Sequence, residues 1–285
     1  MIIQDKETLS LIINLSIASA RLRNIEIEEP KAIFNMRPQI HTLLSGDPGS
    51  NKSTVLTEVA AYFKSRPWNE ITEAALIGSV DKQTHQFTEG AAWSSRNSIF
   101  VIDEFEFLDS SRHATPLVKK LLSLTEGEQY FKRKTSIQCA PIKEKDRDLF
   151  LKVDKGIIEM KTNFSLMLGT MSKLNFMSQQ LQALKTRCIP INWKPDASLI
   201  LDVAHGEKIF KYKDLLIEHG KNAQKCHISC ENYMKIVHFV AEKAPPNSLF
   251  LRIIGDLCRV FAILKRHDFD VYELIYNMKL DVTKR

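Results

Sequence analysis

Glycine and proline are scarce, ten of each in 285 residues, and neither falls into a repeat. That excludes a collagen-like or low-complexity chain. Cysteine is scarcer still, with five residues at 139, 188, 226, 230 and 258. An odd, scattered set is not a disulfide scaffold; it points to a reducing interior and so to a cytoplasmic location. No apolar run reaches the roughly 18 residues that a membrane span requires, so no membrane partner is expected. The opening residues (MIIQDKETLSLIINLSIASARL) carry an acid before their apolar part and lack the basic start of a signal peptide. Charge of one sign is barely in excess. Lys and Arg number 40 against 34 Asp and Glu, a net +6, too little by itself to argue for nucleic acid. What is present is an ordinary globular mixture, 44% hydrophobic and 26% charged, at a length that allows one large domain or two small ones. The charge is unevenly spread, however. Between Lys132 and Lys155 eight basic residues stand against four acidic ones, so this stretch alone holds +4.

Residues 1–37 read as helical in part, with Leu9, Ile12, Ile13, Leu15, Ile17 and Leu22 on an apolar face and Pro30 and Pro38 bracketing a loop. A short apolar strand, Ile40 to Ser45, then enters the turn Gly46-Asp47-Pro48-Gly49. From Ser53 the spacing of Val55, Val59, Ala60 and Phe63 is helical. Further strands are expected at Ile99–Ile102, Phe164–Gly169 and Cys188–Ile191, with a helix over 114–125. Alternating strands and helices predict an α/β domain with a parallel sheet covered on both faces. After Pro195 the strand signals stop, and helices are expected at 206–219, 229–243, 248–266 and 270–279, broken at Ala244-Pro245-Pro246-Asn247. The expected organisation is an N-terminal helical segment (1–37), an α/β core (38–195) and an all-helical domain (196–285).

The segment Gly46-Asp47-Pro48-Gly49-Ser50-Asn51-Lys52-Ser53-Thr54 lies between a strand and a helix, the context of a phosphate-binding loop. Backbone N–H groups and a helix N-terminus there bind anionic oxygens. Lys52 would neutralise the β- and γ-phosphate oxygens of ATP, and the Ser53 hydroxyl would ligate Mg²⁺. Asn51 stands where the general pattern has glycine, and asparagine is among the few residues that tolerate positive φ. A surface turn before a capped helix would account for this short motif alone.

A second motif makes that simpler account harder to hold. The apolar run IFVI delivers Asp103 and Glu104, the first of them 51 residues after Lys52. In an open parallel sheet, ligands bind at the C-terminal ends of the strands. Asp103 would hold Mg²⁺ through water, and Glu104 would take a proton from the attacking water.

Together these residues resemble the AAA+ ATPases, and among them the minichromosome maintenance (MCM) replicative helicases. Gly46-Asp47-Pro48-Gly49 with Lys52-Ser53 is similar to that family's Walker A, and Ile102-Asp103-Glu104-Phe105-Glu106 to its Walker B. Glu89-Gly90-Ala91 leads into the second strand as a similar stretch does in the family. Leu184-Lys185-Thr186-Arg187-Cys188 resembles the box whose arginine reaches a neighbouring subunit's nucleotide. Arg252 and Arg259 resemble the paired arginines around sensor 2. In place of the sensor 1 asparagine stands Gly169-Thr170-Met171-Ser172, where Ser172 or Thr170 would position the water. The resemblance runs from about residue 40 to 268. It implies a P-loop AAA+ αβα core followed by a helical lid, with ATP and Mg²⁺ as cofactors. The family's activity implies a ring, a hexamer, in which hydrolysis is coupled to DNA translocation or unwinding.

Two segments read as insertions. Glu73–Glu89 reads as a hairpin turning near Ser79–Lys82, and Ile142–Lys161 as one turning at Asp154-Lys155-Gly156. In MCM-like proteins the corresponding segments point into the pore, which implies DNA contact for Lys82, Lys152 and Lys155, non-specific and salt-sensitive. The run Lys143–Asp148 alternates in sign and reads as a solvated loop. Cys226, His227 and Cys230 have loose zinc-like spacing, but buried cysteine on a helical pattern is the better account. A rival reading keeps the nucleotide site and makes the chain a switch or loader that acts on protein partners.

Overall fold

The computed structural model describes residues 1–69, 71–81, 83, 87–105, 114–125, 130–134, 151–154, 157–161, 163–171, 179–215, 225–243 and 249–281. Its centre is a five-stranded sheet of β1 (Ile2–Ile3), β4 (His41–Gly46), β7 (Ile99–Ile102), β11 (Ser165–Met171) and β12 (Cys188–Trp193), in the order β1-β12-β4-β11-β7. Every neighbouring pair is parallel. Beyond β7, Trp68 adds a further parallel bridge to Ile102, donating its N–H to the Val101 carbonyl at 3.0 Å and accepting from Asp103 N at 2.9 Å.

Strands buried on both faces are continuous apolar runs, and their alternation decides which layer each side chain enters. Leu44, Ile99, Val101, Met167, Ile189 and Ile191 pack on one face, with α1 (Lys6–Ala20), α2 (Lys52–Tyr62) and the C-terminal helices. Leu43, Phe100, Ile102, Leu166 and Leu168 pack on the other, with α3 (Glu73–Ile77), α4 (Ala91–Ser94), α5 (Ala114–Thr125) and α6 (Gln179–Arg187). This is an αβα core around a parallel sheet, as the alternation of strands and helices predicts, and it fits the AAA+ core that the resemblance implies. α1 begins at Asp5, whose carboxylate accepts from Thr8 N at 2.7 Å. It is buried nearly all round, and Ser16 and Ser19 bond the Ile40 backbone at 2.7 Å each, tying the helix to the start of β4.

The ends of the chain depart from the sequence reading. Residues 24–36 form a hairpin, β2 (Asn24–Glu29) and β3 (Ala32–Met36), and β2 pairs in parallel with β13 (Lys225–Ile228). A strand therefore lies in the region expected to be all helical. Only Cys226 and Ile228 of its four residues are buried, an alternation too short to stand out. The helix expected over 206–219 is also absent across 206–215, its described part. That stretch runs extended because side chains of α1 and α2 take its backbone groups. Glu58 accepts from Ile209 N (3.0 Å) and Phe210 N (2.7 Å), and Asn14 bonds both Lys211 O and Lys213 N at 2.9 Å. The C-terminal helices are α7 (Ala197–Ala204), unforeseen, then α8 (Cys230–Lys243), α9 (Phe250–Leu264) and α10 (Phe269–Asp281).

Both inserted segments form β-structure. β5 (Gly78–Val80) and β6 (Phe87–Glu89) pair antiparallel directly after α3, so Ser79 and Val80 belong to the strand and the connection comes after them. β8 (Tyr130–Lys134), β10 (Ile157–Lys161) and β9 (Leu151–Asp154) make a small antiparallel sheet in that order, with Asp154 opposite Ile157. Among the described residues no helix is long and apolar enough to cross a membrane.

Candidate functional site

The C-terminal edge of the sheet carries the site. β4 ends at Gly46, α2 begins at Lys52, and the loop between them closes with Asn51 in the left-handed region (φ 59°, ψ 22°). Asparagine therefore does here what glycine does in the general pattern. Gly49 is also left-handed (φ 83°), and Ser50 N donates to Asp47 O at 3.1 Å. Gly46 is forced by space, because a Cβ there would lie 2.5 Å from Ser50 Oγ and 3.2 Å from the Trp193 carbonyl.

The loop is braced from β12. Trp193, fully buried at the end of that strand, donates its indole N–H to Ser50 O at 2.9 Å. Lys194 N bonds Ile3 O at 2.9 Å, so the edge strand β1 supports the brace in turn. The sequence reading missed Trp193. Its one signal was a tryptophan two residues past the CIPI run.

Asp103 and Glu104 follow β7 as expected. Asp103 is buried, and its Oδ1 lies 3.7 Å from Lys52 Nζ while accepting from Glu104 N at 2.9 Å. Glu104 sits at φ 52°, a backbone state that costs a non-glycine residue about 1 kcal/mol or more. Two bonds hold it there, the one from its own N–H to Asp103 and the 2.9 Å bond from Phe105 N to Gly169 O. Gly169 on β11 is again forced. A Cβ would fall 2.4 Å from Leu56 Cδ1 and 2.7 Å from Asp103 Oδ1. Gly169→Ala is therefore expected to cost ~1–3 kcal/mol of stability through overpacking and to weaken nucleotide binding by displacing Asp103. A thermal melt and a nucleotide titration measure both.

Gly46, Asp47, Pro48, Gly49, Ser50, Asn51, Lys52, Ser53 and Thr54 line one open cleft of about 570 Å³ together with Glu104 and Met171. Register places Thr170 beside Ser45 and Met171 beside Gly46, so the end of β11 runs next to the loop. Thr170 is buried, and Met171, which the sequence reading had not singled out, is half exposed. Ser172 lies outside the described residues. The donor set suits a magnesium-bound nucleoside triphosphate: a helix N-terminus, an ammonium and a hydroxyl line one cleft, and the buried Asp103 carboxylate stands 3.7 Å from that ammonium. Among the described residues Ser50 Oγ, buried in the loop, finds no hydrogen-bond partner.

Neither Arg187 nor Arg252 is among the residues lining this cleft, and their like charges act on each other. Arg187 ends α6 and Arg252 is exposed on α9. Burial first, then the Arg252 guanidinium, hold Arg187 at about 10, below the usual arginine range. Arg259 is engaged elsewhere, donating Nε to Arg37 O at 2.9 Å and pairing with Asp256 at 2.7 Å. Lys152 lies on β9, where register sets it in one row with Glu159 and Lys132. Lys82 and Lys155 lie outside the described residues.

Residues 42–145 match a protein-family model described as ATPase family associated with various cellular activities (AAA). The match covers a little over a third of the chain and takes in the loop, α2, Asp103 and Glu104. No curated protein matches the chain. The match and the sheet order support an AAA+ ATPase, and hence a nucleotide-dependent activity.

Proposed function

We propose that the chain is a Mg²⁺-dependent ATPase of a ring-shaped oligomer, a hexamer, whose turnover drives translocation along DNA or its unwinding in the manner of MCM-like helicases. The observation that carries the ATPase part is the meeting of Lys52 and Asp103 at 3.7 Å beneath a loop whose Asn51 is left-handed, with Glu104 on the same cleft. The loop N–H groups and Lys52 bind the phosphates. Ser53 and Asp103 would hold the magnesium ion. Bound magnesium withdraws charge from the phosphoryl oxygens. Glu104 takes the proton of the attacking water, and Ser172 orients that water. Arg187 of one subunit completes the site of its neighbour, and Arg252 reads the nucleotide from the lid.

The DNA part is supported by the β8-β10-β9 sheet, whose register sets Lys132 and Lys152 on either side of Glu159, and by Lys155, which follows β9 in the sequence. Lysine in such a place gives non-specific backbone binding that salt weakens. The test measures ATP hydrolysis with and without single-stranded and duplex DNA, at two salt concentrations, for wild type and Lys155→Ala. DNA is expected to stimulate turnover in wild type, salt to reduce the stimulation, and Lys155→Ala to blunt it. Turnover indifferent to DNA in every case would overturn the motor and favour a switch acting on protein partners.

A further inference from the structure

Full burial of charge is uncommon among the described residues, and one instance joins the lid to the core. Lys279 on α10 is 1% exposed and Asp256 on α9 is 3% exposed; Nζ and Oδ2 are 2.8 Å apart. The other oxygen of Asp256 takes Arg259 at 2.7 Å. A buried ion pair is a poor source of stability, since the desolvation of two charges offsets their attraction. An apolar pair would pack α9 on α10 as well. What the ion pair adds is a fixed ammonium, and that ammonium also donates to the Thr186 carbonyl at 3.2 Å.

Thr186 lies in the last turn of α6, and the next residue is Arg187, where the helix ends. Carbonyls of a last turn lack partners within the helix and carry the negative end of its dipole. Lys279 therefore closes α6 from the lid side. The electrostatic reach of Lys279 and Asp256 extends to Cys188, the first residue of β12, on the other side of Arg187. One buried cluster thus acts on both chain neighbours of Arg187, whose guanidinium also feels the charge of Arg252.

We infer that Lys279 is a positioning residue: anchored by Asp256, it fixes the final turn of α6 and so aims Arg187 at the nucleotide of the adjacent subunit. The inference rests on the role proposed above for Arg187. It makes the lid helices set the aim of a residue that the core carries.

The experiment pairs two defective full-length variants. Lys279→Met alone is expected to bind a fluorescent ATP analogue as wild type does and to lose about 10²-fold in turnover, the scale of a small misplacement. Mixed with Glu104→Gln, it is expected to recover, because each intact site then meets a well-aimed arginine from the other variant. Amide hydrogen exchange in the last turn of α6 should quicken while that of α1 is unchanged. The combination Asp256→Asn with Lys279→Met leaves an acceptor for Arg259 and no orphaned buried charge, so it serves if the single variant does not fold. Arg187→Ala mixed with Glu104→Gln is the control. Recovery in the control but not with Lys279→Met, or unchanged exchange at α6, overturns the inference and leaves the role of Arg187 standing. Recovery in neither mixture removes that role and the inference with it.

Discussion

Glu104→Gln is expected to reduce ATP turnover by about 10²–10⁴-fold, the usual contribution of a positioned general base, while nucleotide affinity stays near that of wild type. Glutamine has nearly the shape of glutamate but cannot accept the water's proton at neutral pH. The residue lies on the cleft formed by Gly46–Thr54, and its unusual backbone is held by bonds that do not involve its side chain, so the substitution removes chemistry and leaves geometry. Lys52→Ala makes the contrast. It takes away the ammonium 3.7 Å from Asp103 and should weaken binding and turnover together. Phosphate release measures one quantity and titration with a labelled nucleotide the other. Full turnover in Glu104→Gln would place the base elsewhere; loss of binding in that variant would mean that Glu104 shapes the loop instead of serving it.

The sheet was legible because parallel strands buried on both faces leave unbroken apolar runs. IHTLLS, IFVI, FSLMLG and CIPI each became a strand within about two residues of its expected ends. The helix over 114–125 was found with the expected bounds. The substitution at residue 51 was legible too, since few residues accept the left-handed state that the loop imposes there. What could not be read lies where distant parts of the chain satisfy each other. The segment 207–215 has helical apolar spacing, but Glu58, Asn14 and Ser10 capture its backbone and hold it extended. β1 and β13 are two and four residues long and exist only because β12 and β2 offer them edges. Trp193 gave no sign that its indole would bond the phosphate loop, because that contact spans 143 residues of sequence. Local pattern predicts what local preference decides, and tertiary hydrogen bonds decide the rest.

Arg187→Ala is expected to lower turnover by about 10³-fold or more, the scale on which an inserted guanidinium stabilises the charge of a phosphoryl-transfer transition state. Arg187 is half-buried at the end of α6, and burial first, then the charge of Arg252, bring it down to about 10. That still leaves it fully charged near pH 7, and a polyphosphate brought against both guanidiniums would relieve their repulsion. Neither arginine is among the residues that line the cleft of its own chain, and the role proposed for Arg187 gives it the nucleotide of another subunit as its target. This gives the substitution a signature that a damaged fold would not share. Wild-type turnover per subunit should rise with protein concentration as rings form, whereas Arg187→Ala should show a low rate that does not change with concentration and an unaltered affinity for nucleotide. Arg187→Lys should recover little, because a point charge on a flexible stem does not reproduce a planar fork of donors. Turnover that falls equally at every concentration, with binding lost as well, would instead assign Arg187 to the packing between α6 and α9.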